Sequence, residues 1–415
     1  MYKKTFKPPK IQIEPLRKTA GRQPLVPDLS RLRMAFVCDW LTAVRGGERC
    51  LKALCQKAPN ADLFTLVYDP DRMKGVFDGH AVQTSFIQNL LGGTRFFRYY
   101  LPLFPKAIES FDFSGYDCVV SFSHCVAKGV KVPRQIPHIC YCHTPVRYAW
   151  DMAEIYLNGL PVPQRWLLSL YLKRLRRWDL ASLDRVTCFL ANSIHIRDKI
   201  QRLYGRSARV IYPPVDLKRF SVSQTSGSYY LVLSALVPYK RVDLAVEAFN
   251  QNGKKLIVAG VGPEFRRLQK KAASQIEFVY GPDDSTVEQL YADCKALIFP
   301  GQEDFGIVPL EAQASGKPVI AYRGGGALET VIDSSRPQPT GLFFDQQTTP
   351  SLIDAVRRFE SCCDLFDPQN CRQNAERFGV ERFQKEMVEQ ISEATASLAE
   401  AGRSVSVHRS RECPS

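Results

Sequence analysis

Glu303-Asp-Phe-Gly-Ile-Val-Pro-Leu-Glu311 sets two carboxylates astride the junction of a loop and a helix. The run before it, Cys294-Lys-Ala-Leu-Ile-Phe-Pro300, is short, apolar and closed by a proline, which predicts a buried strand. Pro309 fits the first helical turn, where its missing N–H costs nothing, and Gly316 suits the far end. Glu303 therefore belongs to the loop and Glu311 to a short helix. Unpaired backbone N–H groups at the start of such a helix favour an anion. One carboxylate for a sugar's hydroxyls, one for a ribose's, and an amide-lined phosphate site between them predict a nucleotide-sugar pocket.

The same alternation of apolar runs and helical patterns extends in both directions. Upstream lie Met34-Ala-Phe-Val-Cys38, Cys118-Val-Val-Ser-Phe122, His138-Ile-Cys-Tyr-Cys142 and Val186-Thr-Cys-Phe-Leu-Ala191. A helix is expected from Ser193 to about Tyr204, and Val210-Ile-Tyr-Pro-Pro214 reads as a last strand entering a linker. A second series runs through Tyr229–Leu233, Lys255–Ala259, Ile276–Val279, Ala296–Phe299 and Pro318–Ala321. Apolar, β-branched strands between helices indicate parallel sheets covered on both faces. The expected class is α/β, with two doubly wound, Rossmann-like domains facing each other across a cleft. The boundaries are a disordered basic arm over 1–30, a first domain over 31–213 and a second over 214–380. A helix over 381–400 is expected to pack back on the first domain, with a tail over 401–415. Ligands in such folds sit beyond the carboxyl ends of the strands, where Gly46-Gly47, His143, Lys240 and Glu303 all fall. Gly46 and Gly47 are read as a loop opening a helix near Glu48.

Composition agrees with two cores. The chain has 415 residues, 45% apolar and 24% charged, too long for one typical domain. No apolar run reaches the length of a membrane span, and the N-terminus lacks the apolar centre of a secretion signal. Thirteen cysteines, odd in number and often set in strands, read as reduced core residues of a cytoplasmic protein. The net charge of +14 is concentrated in residues 1–215, with 33 basic against 16 acidic side chains. No nucleic-acid motif accompanies that excess, so nucleic acid is set aside. An anionic membrane surface is the expected counterpart.

With these motifs in order, the chain resembles the retaining glycosyltransferases of family 4, which have the GT-B fold. Within them it resembles most the WbaZ-like O-antigen mannosyltransferase branch. The likeness spans roughly residues 32–395. It rests on the two-glutamate element, the following Ala-Gln-Ala-Ser-Gly-Lys-Pro-Val-Ile-Ala, and Gly324-Gly-Gly-Ala-Leu-Glu329. Leu236-Val-Pro-Tyr-Lys240-Arg-Val-Asp, Ala259-Gly-Val-Gly-Pro-Glu264, Tyr280-Gly281-Pro and Gly46-Gly47-x-Arg49 add to it. Cys142-His-Thr-Pro-Val-Arg-Tyr-Ala-Trp-Asp151 is the segment most like the mannosyltransferase branch.

The resemblance implies roles. Glu303 would hold hexose hydroxyls and Glu311 the ribose; Lys240 would neutralise the diphosphate as the glycosidic bond breaks. His143 would face the transferred sugar, against the ordinary alternative of a core histidine satisfied by backbone. Gly46 and Gly47 would bring amides to the phosphates, unless they form a plain turn. Phe305, Gly306, Ile307 and Val308 would line the donor with backbone, and Gly281 would meet the base. The family's arginine five residues before Lys240 is replaced by Ala235, and Arg241 or an arginine of the first domain is left to compensate. The implied reaction moves mannose from GDP-mannose, without metal or cofactor, to a lipid-diphosphate-linked or polysaccharide glycan. A UDP-sugar donor and a non-catalytic, membrane-bound scaffold are the alternatives. Asp69-Pro-Asp71 reads as a turn, not a metal site. Trp166-Leu-Leu-Ser-Leu-Tyr-Leu-Lys-Arg-Leu-Arg-Arg-Trp178 and Arg95-Phe-Phe-Arg-Tyr-Tyr-Leu-Pro102 suit a headgroup layer, which predicts peripheral contact with the inner face of the plasma membrane. Both also fit core-facing helices with snorkelling cations.

Overall fold

Two parallel sheets follow one another along the chain. The structure, a computed structural model, describes residues 29–147, 149–150, 161–224 and 227–409. The expected basic arm therefore lies almost wholly outside the described residues. The first sheet comprises β1 (Met34–Cys38), β2 (Asp62–Thr65), β3 (Val82–Thr84), β4 (Cys118–Ser123), β5 (His138–Cys142), β6 (Cys188–Ala191) and β7 (Ala208–Val210). Their order is β3-β2-β1-β4-β5-β6-β7. The second comprises β8 (Tyr229–Leu233), β9 (Leu256–Gly260), β10 (Ile276–Tyr280), β11 (Cys294–Phe299), β12 (Val319–Tyr322) and β13 (Gly341–Phe344), in the order β10-β9-β8-β11-β12-β13. The paired strands are parallel, as two Rossmann-like domains require.

The central strands are apolar without alternation because both faces are covered. All five residues of β1 are buried. Phe36 joins one core layer, with Leu51 and Leu54, while Ala35 and Val37 join the opposite layer, with Phe64 and Phe113. Strand β8 divides likewise, Tyr230 and Val232 to one side, Tyr229 and Leu231 to the other.

The helix Val380–Arg409 leaves the second domain and joins the first. Phe383, Met387, Val388 and Ile391 enter the core layer of Cys50, Leu51 and Leu54, a burial worth about 1.5–3 kcal/mol per side chain. Gln384 Nε2 donates to Ala53 O at 2.8 Å. The stretch from residue 401, read as a tail, continues this helix to Arg409.

Two other local readings need correction. The strand placed at 210–214 lies upstream, because Pro213 and Pro214 have no N–H to donate to a ladder. Gly46 and Gly47 are the first residues of the helix Gly46–Cys55, not its preceding loop. Among the described residues no helix is long and apolar enough to cross a membrane.

The strand order reverses between β1 and β4 in one sheet and between β8 and β11 in the other. Beyond their carboxyl ends come Gly46-Gly47, His124, His143, Lys240 and Glu303, which is where open α/β sheets leave a crevice.

Candidate active site

On the first domain, Arg45 N donates to Glu48 Oε2 at 2.9 Å and fixes the start of the helix Gly46–Cys55. A Cβ on Gly47 would stand 3.3 Å from His143 Nε2, so glycine there permits close approach of the helix to the imidazole. His143 follows β5, with its N–H donating to Ser123 O at 2.9 Å and its carbonyl accepting from Asn192 Nδ2 at 3.0 Å. Its Nε2 is buried without a hydrogen-bond partner among the described residues. Burial first, then His124 and Arg147, push its pKa down to about 3, so the ring is neutral at ordinary pH. A buried polar nitrogen left unpaired is costly. Beyond the end of β1, the fully buried Asp39 accepts the backbone N–H groups of His124, Cys125, Val126 and Ala127 at 2.6–2.9 Å.

On the second domain, the seven-residue helix Val308–Ala314 carries Glu311, and the preceding loop carries Glu303. Lys240 pairs with Glu303. Glu311 is buried and accepts from the Tyr291 hydroxyl at 3.0 Å; burial, then the Glu311 charge, raises that phenol well above its usual range. Gly306 has φ +82, and a Cβ there would meet the Phe299 ring at 3.0 Å. Its conformation and its neighbour both demand glycine. Gly281 also has positive φ, at the end of β10.

Other expected residues are turned elsewhere. The Phe305 ring is buried, stacked on Tyr212 at 5.8 Å and tilted against Phe378, which leaves only its backbone for a ligand. The Arg241 guanidinium faces Asp243 at 3.4 Å and the Gln347 carbonyl at 3.5 Å, not the paired Glu303. Ile307 and Val308 are half-buried at the helix start. Ala235 is exposed in the loop after β8.

The two domains meet through side chains to which the motif reading gave no role. Arg49 pairs with Glu311 Oε1. Arg147 Nε donates to Asp304 Oδ2 at 3.1 Å. Ser193 Oγ donates to Asp304 O at 2.6 Å, and the Glu329 carboxylate accepts from Ile194 N at 2.7 Å and His195 N at 3.0 Å. Glu329 thus caps, from the second domain, the helix Ile194–Tyr204 of the first. Each of these residues lies in or beside a stretch already singled out, but only the fold shows which partner it meets. Tyr148 and Asp151 of the segment Cys142–Asp151 lie outside the described residues. Asp69 caps the short helix Pro70–Met73, and no cluster of His, Cys, Asp or Glu able to hold a metal occurs among the described residues.

Two doubly wound domains whose strand ends face each other through charged pairs define a protein of the GT-B class. The chain belongs to the family 4-like glycosyltransferases of that class: the family model described as Glycosyltransferase Family 4 matches residues 44–219, and that described as Glycosyl transferases group 1 matches residues 216–378. A glycogen synthase of Pseudomonas aeruginosa is 30% identical over 37% of this chain and 32% of its own length. A GDP-mannose-dependent α-(1-6)-phosphatidylinositol monomannoside mannosyltransferase of Mycobacterium tuberculosis is 32% identical over 40% of this chain and 50% of its own. The matched part thus spans half or less of either relative. The crystal structure of Anabaena HepE in complex with UDP shares the fold, with a TM-score of 0.66 at 17% identity, covering 87% of this chain and all of that one.

Proposed function

We propose that the crevice takes a nucleoside diphosphate sugar and transfers its hexose to a glycan, with retention at the anomeric carbon. The observation that carries this reading is the Lys240–Glu303 pair, one short helix away from the buried Glu311, in a chain whose two halves match glycosyltransferase families. In this reading Glu311 takes the ribose hydroxyls, exchanging its Arg49 contact for them. Glu303 takes hexose hydroxyls, and Lys240 meets the charge that grows on the departing diphosphate. The neutral His143 offers its free Nε2 to a hexose hydroxyl. Gly46 and Gly47, the backbone of Phe305, Gly306, Ile307 and Val308, and Gly281 complete the lining. The departing phosphate oxygen draws the acceptor's proton on the same face as the new bond. Closure of the domains assembles the site and excludes water.

Mannose from GDP-mannose is the proposed donor. The segment Cys142–Asp151, like the WbaZ-like branch, and the mannosyltransferase relative support it. A UDP-sugar is the second reading, prompted by the fold neighbour solved with UDP. Thermal melting with GDP, UDP and ADP separates them: at 100 times its Kd a nucleotide stabilises by about 2.7 kcal/mol. GDP alone raising the melting temperature is the expected result; a shift with UDP alone overturns the mannose assignment.

The proposed acceptor is a lipid-diphosphate-linked glycan at the cytoplasmic face of a membrane. Trp166 and Leu167 of the helix Val162–Ala181 are each 66% exposed, and Leu91 and Tyr99 are 91% and 84% exposed. Tyr171 OH donates to Leu101 O at 2.8 Å and ties the two segments into one surface. The exposed Arg95, Arg98, Lys173, Arg174 and Arg177 surround it, and each cation near an anionic leaflet contributes about 1 kcal/mol. The protein is expected to float with phosphatidylglycerol vesicles and not with phosphatidylcholine alone, and Trp166→Ser with Tyr99→Ser is expected to abolish flotation. Equal behaviour toward both vesicles refutes this surface.

A further inference from the structure

We infer that His124, on the first domain, accepts a hydrogen bond from the acceptor hydroxyl that receives the sugar. The inference rests on the transfer reading above and adds the acceptor's side of the site to it. In an open α/β sheet a ligand lies beyond the strand ends at the point where the strand order reverses. In the second sheet that point falls between β8 and β11. Lys240 and Glu303, assigned above to the donor, stand in the segments that follow those two strands. In the first sheet the reversal falls between β1 and β4, and the residues directly after those strands are Asp39 and His124. A transferase needs a second substrate, and neither of these residues has a part in the donor reading.

The four backbone N–H groups that Asp39 accepts fix its carboxylate. His124 Nδ1 stands 3.0 Å from Asp39 Oδ2. A carboxylate oxygen at that distance favours the tautomer with its proton on Nδ1, which leaves the lone pair on Nε2. The Trp40 ring meets the imidazole edge-on, with centroids 4.4 Å apart. Two contacts therefore set the ring's orientation before any substrate arrives. Among the described residues Nε2 has no hydrogen-bond partner, yet it is not sealed from solvent, and the side chain is 33% exposed. An oriented, open acceptor atom at a sheet's reversal point suits a hydroxyl.

Its neighbours place that hydroxyl next to the transferred hexose. After burial, His124 is the group that does most to lower the pKa of His143, the residue given above to a hexose hydroxyl. The Trp40 ring continues to Phe97 at 5.2 Å, and Phe97 opens the helix Phe97–Leu103, which carries the exposed Tyr99. The same wall thus leads from the proposed membrane surface to His124, the side from which a lipid-linked glycan would come. The imidazole removes no proton in this arrangement. It aims the hydroxyl oxygen at the anomeric carbon, while the departing phosphate oxygen takes the proton as the new bond forms.

The test uses the full chain with GDP-mannose and UDP-glucose as donors and octyl α-mannoside and octyl β-glucoside as acceptor probes. Transfer is followed by steady-state kinetics, and donor binding by calorimetric titration. His124→Phe keeps a ring against Trp40 and removes the lone pair. It is expected to raise KM for the glycoside roughly tenfold, the scale of one hydrogen bond to an uncharged group, with kcat changed less and the donor's Kd unchanged. His124→Gln, whose amide oxygen still accepts, is expected to recover part of the loss, which a purely structural role does not explain. A donor Kd weakened as much as the glycoside KM overturns the inference and moves His124 to the donor's side. A lower kcat with KM unchanged, or no change in either, also overturns it. Binding of a nucleotide sugar with no transfer to either glycoside overturns the acceptor subsite while sparing the donor reading. Failure of both nucleotide sugars to bind overturns both.

Discussion

Lys240→Ala lowers kcat for sugar transfer roughly 100- to 1000-fold, the scale seen when one group that stabilises developing charge is removed from a water-excluded site. The lysine stands at the end of a short 3-10 turn, Pro238–Lys240, whose own backbone is fixed by Lys240 N donating to Val237 O at 3.1 Å. Gly301 packs against it so closely that a Cβ would come within 2.9 Å of Lys240 O. The side chain is therefore aimed by a fixed backbone. Because charge on the diphosphate is greatest in the transition state, kcat is expected to fall more than donor affinity. Melting temperature is expected to change little, since the Lys240–Glu303 pair is partly solvated. Steady-state kinetics on folded Lys240→Ala decide the matter. A kcat within threefold of the unsubstituted enzyme removes Lys240 from the chemistry.

Asp179→Ala destabilises the first domain by about 3–5 kcal/mol, because it strands a buried ammonium. Lys128 and Asp179 are 2% and 0% exposed and meet at 2.8 Å. Lys128 Nζ also donates to Asp179 O at 2.8 Å and to Ser182 Oγ at 2.6 Å. Asp179 Oδ2 accepts from Trp150 Nε1 at 2.8 Å and from the Tyr204 hydroxyl at 2.9 Å. One carboxylate thus joins the helix Val162–Ala181, the helix Ile194–Tyr204 and the segment that carries Arg147. The proposed membrane helix is tied through it to the wall of the crevice. Urea unfolding measures the effect, and a loss below about 1 kcal/mol shows that the network is solvated or able to rearrange.

The parallel sheets were legible because buried strands such as Met34–Cys38 and Tyr229–Leu233 are apolar throughout and bounded by turn residues. Less visible were β3, only three residues long and half-exposed at an edge, β2, and β13, whose Gly-Leu-Phe-Phe is short for any period to register. That the two glutamates, Lys240 and His143 lie beyond strands' carboxyl ends could be read from motif spacing: His143 follows β5 directly, Lys240 and Glu303 stand in the segments after β8 and β11, and Glu311 in the short helix after Glu303. Phe305 shows the limit of that approach: it stands in the same stretch as Glu303 and Glu311, yet its own ring fills the core beside Tyr212. The pairings of Arg49, Arg147 and Glu329 could not be read at all. Each crosses between domains over more than 100 residues of chain, and a contact of that kind is set by how two finished sheets face each other. Asp39 is similar, since its four N–H partners lie 85–88 residues away.

Titration of GDP-mannose and UDP-glucose into the full chain, alongside Glu311→Ala, probes the shared pocket most directly. One of the two sugars is predicted to bind saturably with one site per chain, and Glu311→Ala to weaken it at least tenfold by removing the ribose contact while the fold persists. No saturable binding of either by the folded protein, or binding that Glu311→Ala leaves untouched, contradicts the account.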